Sequence, residues 1–300
     1  MTNLVDTHAH IFWDSYKGDL NQVLDRCLQN DVRTIVNVGV DISLSQKALD
    51  QIQLLSKKNN SSSTEMEKYI TFFSTIAIHP EEAIRYHSDQ SSVVSEQIQK
   101  DIDKLEEIYR QNPEKVIAVG ECGLDYDYFS REGYLPENIS LDQAKNLQRQ
   151  LFQTQINLAK KLNLPLLLHV RDHRSQNPEN SECWDEAIEM TKDHFGILHC
   201  YSGLMPTTKK ALESNFLVSF AGNLTYKKNE YLREAVKFLP LEKIVLETDC
   251  PFLAPQSIRG QRNEPSSVKE IAQLIAELKN VSFKEVAQQT TQNFFNLIKV

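Results

Sequence analysis

His8-Ala9-His10 places two imidazoles two residues apart, directly after the apolar segment Leu4–Thr7. Side chains two apart on a strand point the same way, so both rings should face one side at the C-terminal end of that strand. Two neutral imidazoles converging there make half of a divalent metal site. More residues of the same chemistry follow apolar segments further along: His79-Pro80, Gly120-Glu121, His169 with Arg171, His199, and Glu247-Thr248-Asp249. Histidines and carboxylates are costly at buried strand ends unless paired or metal-bound. His8, His10, Glu121, His169, His199 and Asp249 make six donors, more than one tetrahedral or five-coordinate ion with open positions uses. Two ions are therefore expected, with Glu121 able to bridge them. The chemistry such a pair supports is hydrolysis by a water of lowered pKa. Asp249, at the last strand end, is placed to orient that water and take its proton, so Asp249 and Glu121 are the catalytic candidates.

Eight short apolar segments can hold these residues: Leu4–Thr7, Thr34–Val40, Phe72–Ile78, Val116–Val119, Pro165–His169, Gly196–His199, Leu217–Phe220 and Lys243–Thr248. Nearly every gap carries helical periodicity, as in Gly18–Asn30, Leu44–Lys57, Val93–Gln111, Leu141–Asn163, Tyr226–Leu239 and the shorter Cys183–Asp193. Several strands are apolar throughout, as when helices cover a sheet from outside. Eight βα units predict an α/β fold, a single (β/α)8 TIM-type barrel over residues 1–300, with the active site at the C-terminal ends of its strands. An open doubly wound sheet would usually start with a Gly-rich phosphate loop, and strand one ends in Thr7-His8-Ala9-His10 instead. Two C-terminal helices should close the structure, each opened by a capping box, Ser267-Val268-Lys269-Glu270 and Ser282-Phe283-Lys284-Glu285. Three polar stretches read as surface insertions: Lys57–Lys68, Asp127–Ser140 and His173–Ser181. Gly123 and Gly203 are expected to permit tight turns after ligand-bearing strands.

A net charge of −8 lacks the basic footprint of a duplex-DNA binder. It does not exclude a nucleic-acid substrate, because bound cations supply positive charge that the sequence does not count. The five cysteines are scattered and odd in number, which predicts reduced thiols and a cytoplasmic location rather than a disulfide framework. The N-terminus runs straight into a strand with neither a leader pattern nor a long apolar run. The expectation is a monomer with no membrane attachment.

The motifs Asp6-Thr7-His8-Ala9-His10, Ile78-His79-Pro80, Gly120-Glu121-Cys122-Gly123-Leu124-Asp125-Tyr126, His169-Val170-Arg171, His199-Cys200-Tyr201-Ser202-Gly203, Glu247-Thr248-Asp249-Cys250-Pro251-Phe252-Leu253-Ala254-Pro255 and Arg262-Asn263-Glu264-Pro265 occur in that order. With them the chain resembles the TatD family of metal-dependent deoxyribonucleases, among the amidohydrolase-like metallo-hydrolase barrels. Thr290-Thr291-Gln292-Asn293 resembles the family's C-terminus. The resemblance implies that His8, His10, Glu121 and Asp249 surround one ion and Glu121, His169 and His199 the other. It implies 3′-to-5′ exonuclease or related phosphodiesterase activity on single-stranded or frayed DNA. Mg²⁺ would support activity, with Zn²⁺, Mn²⁺, Ni²⁺ or Co²⁺ as other occupants. His79 and Arg171 would then bind substrate phosphate, Arg171 through its planar fork; the alternative for Arg171 is a salt bridge steadying a loop.

Cys250 stands where a small hydroxyl residue is commoner in the family, and Cys122 where an apolar residue often stands; a buried thiol is the reading for Cys250 rather than a ligand. Arg262 and Glu264 are expected to brace the mouth by pairing with a strand-end carboxylate such as Glu247. Tyr126, Tyr128, Phe129 and Tyr134 could stack bases there. Two other functions remain open: metal-dependent hydrolysis of an amide, lactone or ester, including an aminoacyl-tRNA ester, and a non-enzymatic scaffold. The full set of six donors disfavours the scaffold.

Overall fold

A computed structural model describes residues 3–61, 69–88, 90–172 and 181–299. Eight parallel strands run in sequential order: β1 (Leu4–Ala9), β2 (Val32–Asn37), β3 (Thr71–Ile76), β4 (Val116–Asp125), β5 (Leu166–Arg171), β6 (Gly196–Leu198), β7 (Phe216–Phe220) and β8 (Ile244–Leu246). Helices alternate with them: α1 (Leu20–Gln29), α2 (Ile42–Ser61), α3 (Ser91–Gln111), α4 (Leu141–Leu162), α5 (Glu182–Met190), α6 (Met205–Glu213) and α7 (Glu230–Phe238). Two more, α8 (Val268–Lys279) and α9 (Phe283–Ile298), follow the last strand. This is the expected (β/α)8 barrel, nearly closed, with its two C-terminal helices. Among the described residues no helix is long and apolar enough to cross a membrane.

Alternation decides which side chains enter the lumen. Val5, Val36, Phe73, Ile117, Leu167, Ile197, Leu217 and Val245, one from each strand, form an inner layer that Phe294 of α9 joins from below. The lumen beneath the strand ends is thus packed, and polar chemistry is confined to the upper rim. The seam between β8 and β1 is made differently from the other seven ladders. Ala9 and Cys250 form an isolated parallel bridge. Asp6 accepts bonds from the Thr248 amide (2.9 Å), the Thr248 hydroxyl (2.6 Å) and the His8 amide (3.2 Å).

Local differences from the sequence reading have physical causes. β4 runs six residues past Val119, because Gly120 and Gly123 let it lie against β5. A Cβ on Gly123, whose φ is +140°, would sit 2.1 Å from the His169 carbonyl oxygen. Gly123 therefore serves close strand approach and not a turn. α6 buries only Thr207, Thr208 and Ala211, so no apolar stripe marks it in the sequence. Ser267 sits in the helical region and caps nothing with its side chain, while Glu270 is taken by the Ser257 hydroxyl at 2.5 Å. Ser282 does cap, accepting from the Glu285 amide. The Asp127–Ser140 stretch is anchored by buried Phe129 and Ile139. Of the other two insertions, residues 57–61 belong to α2, and 62–68 and 173–180, with His173, lie outside the described residues.

Candidate metal centre

β1 brings His8 and His10 to the rim, and their Nε2 atoms come within 3.1 Å of each other. The register between β1 and β2 slips between Asp6 and Ala9, so strict alternation is broken there, yet both rings still converge. Glu121 is the extra residue of a bulge in β4, between Gly120 and Cys122, and a bulge re-aims a side chain beside a site. Its carboxylate lies among four histidines. Oε2 is 3.2 Å from His8 Nε2, and Oε1 is 2.8 Å from His169 Nδ1, 3.2 Å from His199 Nε2 and 3.4 Å from His79 Nε2. Asp249 Oδ1 faces His10 and His8 at 3.5 and 3.7 Å. All six sequence-predicted donors, and His79, therefore meet in one place. Asp249 and His169 keep the most exposed side chains of the six donors, at 16% and 15%, so the cluster opens on their side.

Hydrogen bonding fixes which ring nitrogens are free. His10 Nδ1 lies 2.9 Å from the Val38 carbonyl and must donate to it, leaving the Nε2 lone pair aimed inward. His199 Nδ1 is 2.9 Å from Glu247 Oε1, and His169 Nε2 is 3.0 Å from Asp125 Oδ2. Each then presents its other nitrogen to Glu121. His79 differs: its Nδ1 accepts from the Glu81 amide, so a neutral ring carries its proton on Nε2 and is a donor. Inward lone pairs beside two carboxylates repel one another unless cations lie between them, so the donor set fits divalent metal. Among the described residues, His8, His10 and Glu121 form one group whose ligand atoms lie within 4.8 Å; His79, Glu121 and His169 form another.

The electrostatics agree. Burial pushes the Glu121 carboxyl up, but the imidazoles of His199, His8 and His79 outweigh it and hold it well below the usual carboxylate range. Burial pulls His169 down, yet its bonds to Asp125 and Glu121 push it up to about 9. His169 thus favours a proton that a metal ion would have to displace, while burial holds His8 below the usual imidazole range.

Two residues here were not among the sequence candidates. Asp125 and Glu247, both fully buried, stand behind His169 and His199: His169 Nε2 bonds Asp125 Oδ2, while His199 Nδ1 meets Glu247 Oε1 as a 2.9 Å charge contact without hydrogen-bond alignment. Glu247 also accepts from the Cys200 amide at 2.8 Å. Replacing Glu247 with glutamine, or Asp125 with asparagine, should weaken divalent-metal affinity about 10–100-fold, read by competition with a chelating indicator. Unchanged affinity in both variants would remove the orienting role. Cys200 is a third addition, grouped with His199 and Asp249 within 4.8 Å. Cys250 is fully buried under the seam, where burial pushes its thiol up, consistent with a structural thiol.

Arg171 does not point a free fork at the site. Its Nε and one terminal nitrogen clasp Asp125 at 3.0 and 2.5 Å, and that nitrogen also lies 3.5 Å from Glu81. The loop-steadying alternative describes this geometry better than phosphate binding. Arg262 and Glu264 also pair elsewhere than expected, with Asp19 (2.5 Å) and Arg26 (2.7 Å), because Glu247 is already held by His199. Of the four aromatics expected at the mouth, Tyr126 and Phe129 are buried and cannot stack on a ligand, whereas half-buried Tyr128 packs edge-on against Tyr134, which is 46% exposed.

The family model described as TatD related DNase matches residues 5–299. The chain is 33% identical, over 99% of both chains, to an uncharacterized metal-dependent hydrolase of Bacillus subtilis, YabD. It is 30% identical to another from Escherichia coli, YcfH, over 99% of this chain and 96% of that one. The crystal structure of YjjV, a TatD homologue of Escherichia coli, superposes with a TM-score of 0.74 at 24% identity, covering 100% of this chain and 99% of that one.

Proposed function

We propose that this chain, which belongs to the TatD-related DNase family, is a metal-dependent hydrolase that removes nucleotides from the 3′ end of single-stranded or frayed DNA. The observation that carries the reading is Glu121, set within 3.4 Å of four imidazoles at the only bulge between β4 and β5, with Asp249 facing His8 and His10. His8, His10, Glu121 and Asp249 would hold one divalent ion, and Glu121, His169 and His199 a second. When bound, the ions supply positive charge that acidifies a water molecule and neutralises the phosphate.

The chain's own groups do the rest. Asp249, open to the mouth, accepts the proton of the attacking water; burial pushes its carboxyl up, but bonding to His10 and the charges of His199 and His8 hold it down and so keep it ionised. The water oxygen forms a bond to phosphorus, the bond from phosphorus to the 3′-oxygen breaks, and that oxygen takes a proton from solvent. His79 Nε2–H, 3.4 Å from Glu121, is placed to donate to a phosphate oxygen. Asp125 keeps His169 in the required tautomer through its bond, and the Glu247 charge behind His199 favours a proton on Nδ1 there. The buried layer beneath excludes water from the far side of the site.

A substrate panel tests this: single-stranded DNA, blunt duplex DNA, RNA and an aminoacyl ester, each with protein reconstituted with Mg²⁺, Mn²⁺ or Zn²⁺. The expected result is 5′-mononucleotide release, fastest from single-stranded DNA. No mononucleotide under any metal would overturn the reading, and turnover of the ester alone would move it to acyl transfer to water.

A further inference from the structure

Phe252 is 52% exposed and its ring sits edge-on to His10, with centroids 6.3 Å apart. Its backbone is fixed from both sides: its amide donates to the Asp249 carbonyl at 2.9 Å, and Asn263 Nδ2 donates to its carbonyl at 2.8 Å. Trp13 stands edge-on to the same ring at 6.4 Å and stacks on Phe12 at 5.6 Å. The backbone that carries the ring is thus anchored, and its half-exposed face stands at the mouth beside His10.

The loop carrying Phe252 continues to Arg259, which lies over the Tyr226 ring at 4.5 Å, and the Tyr226 hydroxyl donates to the Ala254 carbonyl at 2.8 Å. Gln256 N–H bonds Thr225 Oγ1 at 2.7 Å, tying this loop to the one after β7. That neighbouring loop presents exposed Lys227 and Lys228. Among the described residues, none of Arg259, Lys227 and Lys228 has a carboxylate partner within ion-pair distance. Elsewhere at the mouth Arg171 is spent on Asp125, Arg131 on Asp127 and Arg262 on Asp19. On a chain of net charge −8, the rim beyond β7 and β8 is thus a local patch of uncompensated positive charge beside a half-exposed aromatic face.

We propose that this rim is a strand-binding subsite: a nucleobase stacks on Phe252 next to His10, while the sugar–phosphate backbone runs over Arg259, Lys227 and Lys228. Aromatic faces bind any base, and cations track the backbone, which is how single strands are held without sequence preference. The inference rests on the nucleic-acid reading of the metal centre and names where the strand lies. It adds a stacking face on the loop after β8 to the one that exposed Tyr134 presents on the loop after β4, where Tyr126 and Phe129 are buried.

Binding of the metal-loaded protein to a fluorescein-labelled thymidine tetranucleotide, with phosphorothioate linkages to hold off cleavage, and to its abasic counterpart tests the subsite. The wild-type protein should bind the base-bearing strand about ten-fold more tightly. Phe252→Ala should bring the two within about two-fold, and Phe252→Trp should restore the difference. Alanine at Arg259, Lys227 and Lys228 together should weaken both ligands alike and reduce the slope of log affinity against log salt by about two. Retention of base preference in Phe252→Ala, or an unchanged salt slope in the triple variant, would overturn the proposal. Cleavage of the unmodified tetranucleotide is scored separately. Base-dependent binding without cleavage supports the subsite and sinks the hydrolytic reading; cleavage without base preference does the reverse.

Discussion

Glu121→Gln should lower metal-dependent hydrolysis about 1000-fold, equivalent to about 4 kcal/mol of lost transition-state stabilisation. The substitution keeps the volume and hydrogen-bonding reach of the side chain and removes its charge. That charge is what four imidazoles surround, and its removal takes away the anionic oxygens that would hold cations beside His8, His169 and His199. A glutamine oxygen is a poor bridge between two cations, so bound metal should fall by at least one equivalent, measured on dialysed protein by elemental analysis. Glu121→Ala should lose as much activity. Near-normal turnover in Glu121→Gln would show that the centre does not act through this carboxylate. Because the side chain is almost fully buried among partners, thermal unfolding belongs beside the kinetics, to separate a lost centre from a lost fold.

The centre's direct donors could be read from the sequence because their logic is local. His8 and His10 announce themselves by spacing, and His169, His199 and Asp249 by following apolar runs. Asp125 gave no such signal. Its role appears only when β4 continues through the Glu121 bulge, which sets Asp125 opposite Arg171 and within reach of His169. The choice between the two readings of Arg171 was hidden for the same reason, since the carboxylate that its Nε and one terminal nitrogen clasp lies 46 residues away. Glu247 was seen as a rim charge for Arg262, although its partner is His199 on another strand. Phe252 and Phe129 show the limit for apolar residues. Both are aromatics in loops at the mouth, yet one is half exposed and the other buried, a difference set by what the neighbouring loops leave uncovered. Strand order and barrel class survive such ambiguity because they depend on the pattern of eight segments and not on any one contact.

The seam that closes the barrel is where fold and chemistry depend on the same side chain. Asp6 is fully buried, and burial pushes its carboxyl up against the opposing pull of Thr248 and the His8 amide. It accepts from both the amide and the hydroxyl of Thr248, while the Asp249 amide donates to the His8 carbonyl at 2.9 Å and the His10 amide to the Cys250 carbonyl at 2.8 Å. These bonds set the height of β8 against β1, and so the placement of Asp249 opposite His8 and His10. Asp6→Ala should cost about 2–4 kcal/mol, because it strands the Thr248 amide in the interior and opens a cavity beside it. In a chain of this size that corresponds to a fall in Tm of about 3–6 °C. Thr248→Val removes only the hydroxyl partner and should cost about 1 kcal/mol. Asp6→Asn retains an acceptor for the amide and should fall between the two. If the seam positions the site as well as closing the barrel, kcat of Asp6→Asn should drop at temperatures well below its Tm, while its metal content stays that of the wild type. An Asp6→Ala protein as stable as the wild type would mean that backbone bonds alone close the barrel. Full kcat in a destabilised Asp6→Asn would confine Asp6 to stability and leave the placement of Asp249 to the loop that follows it.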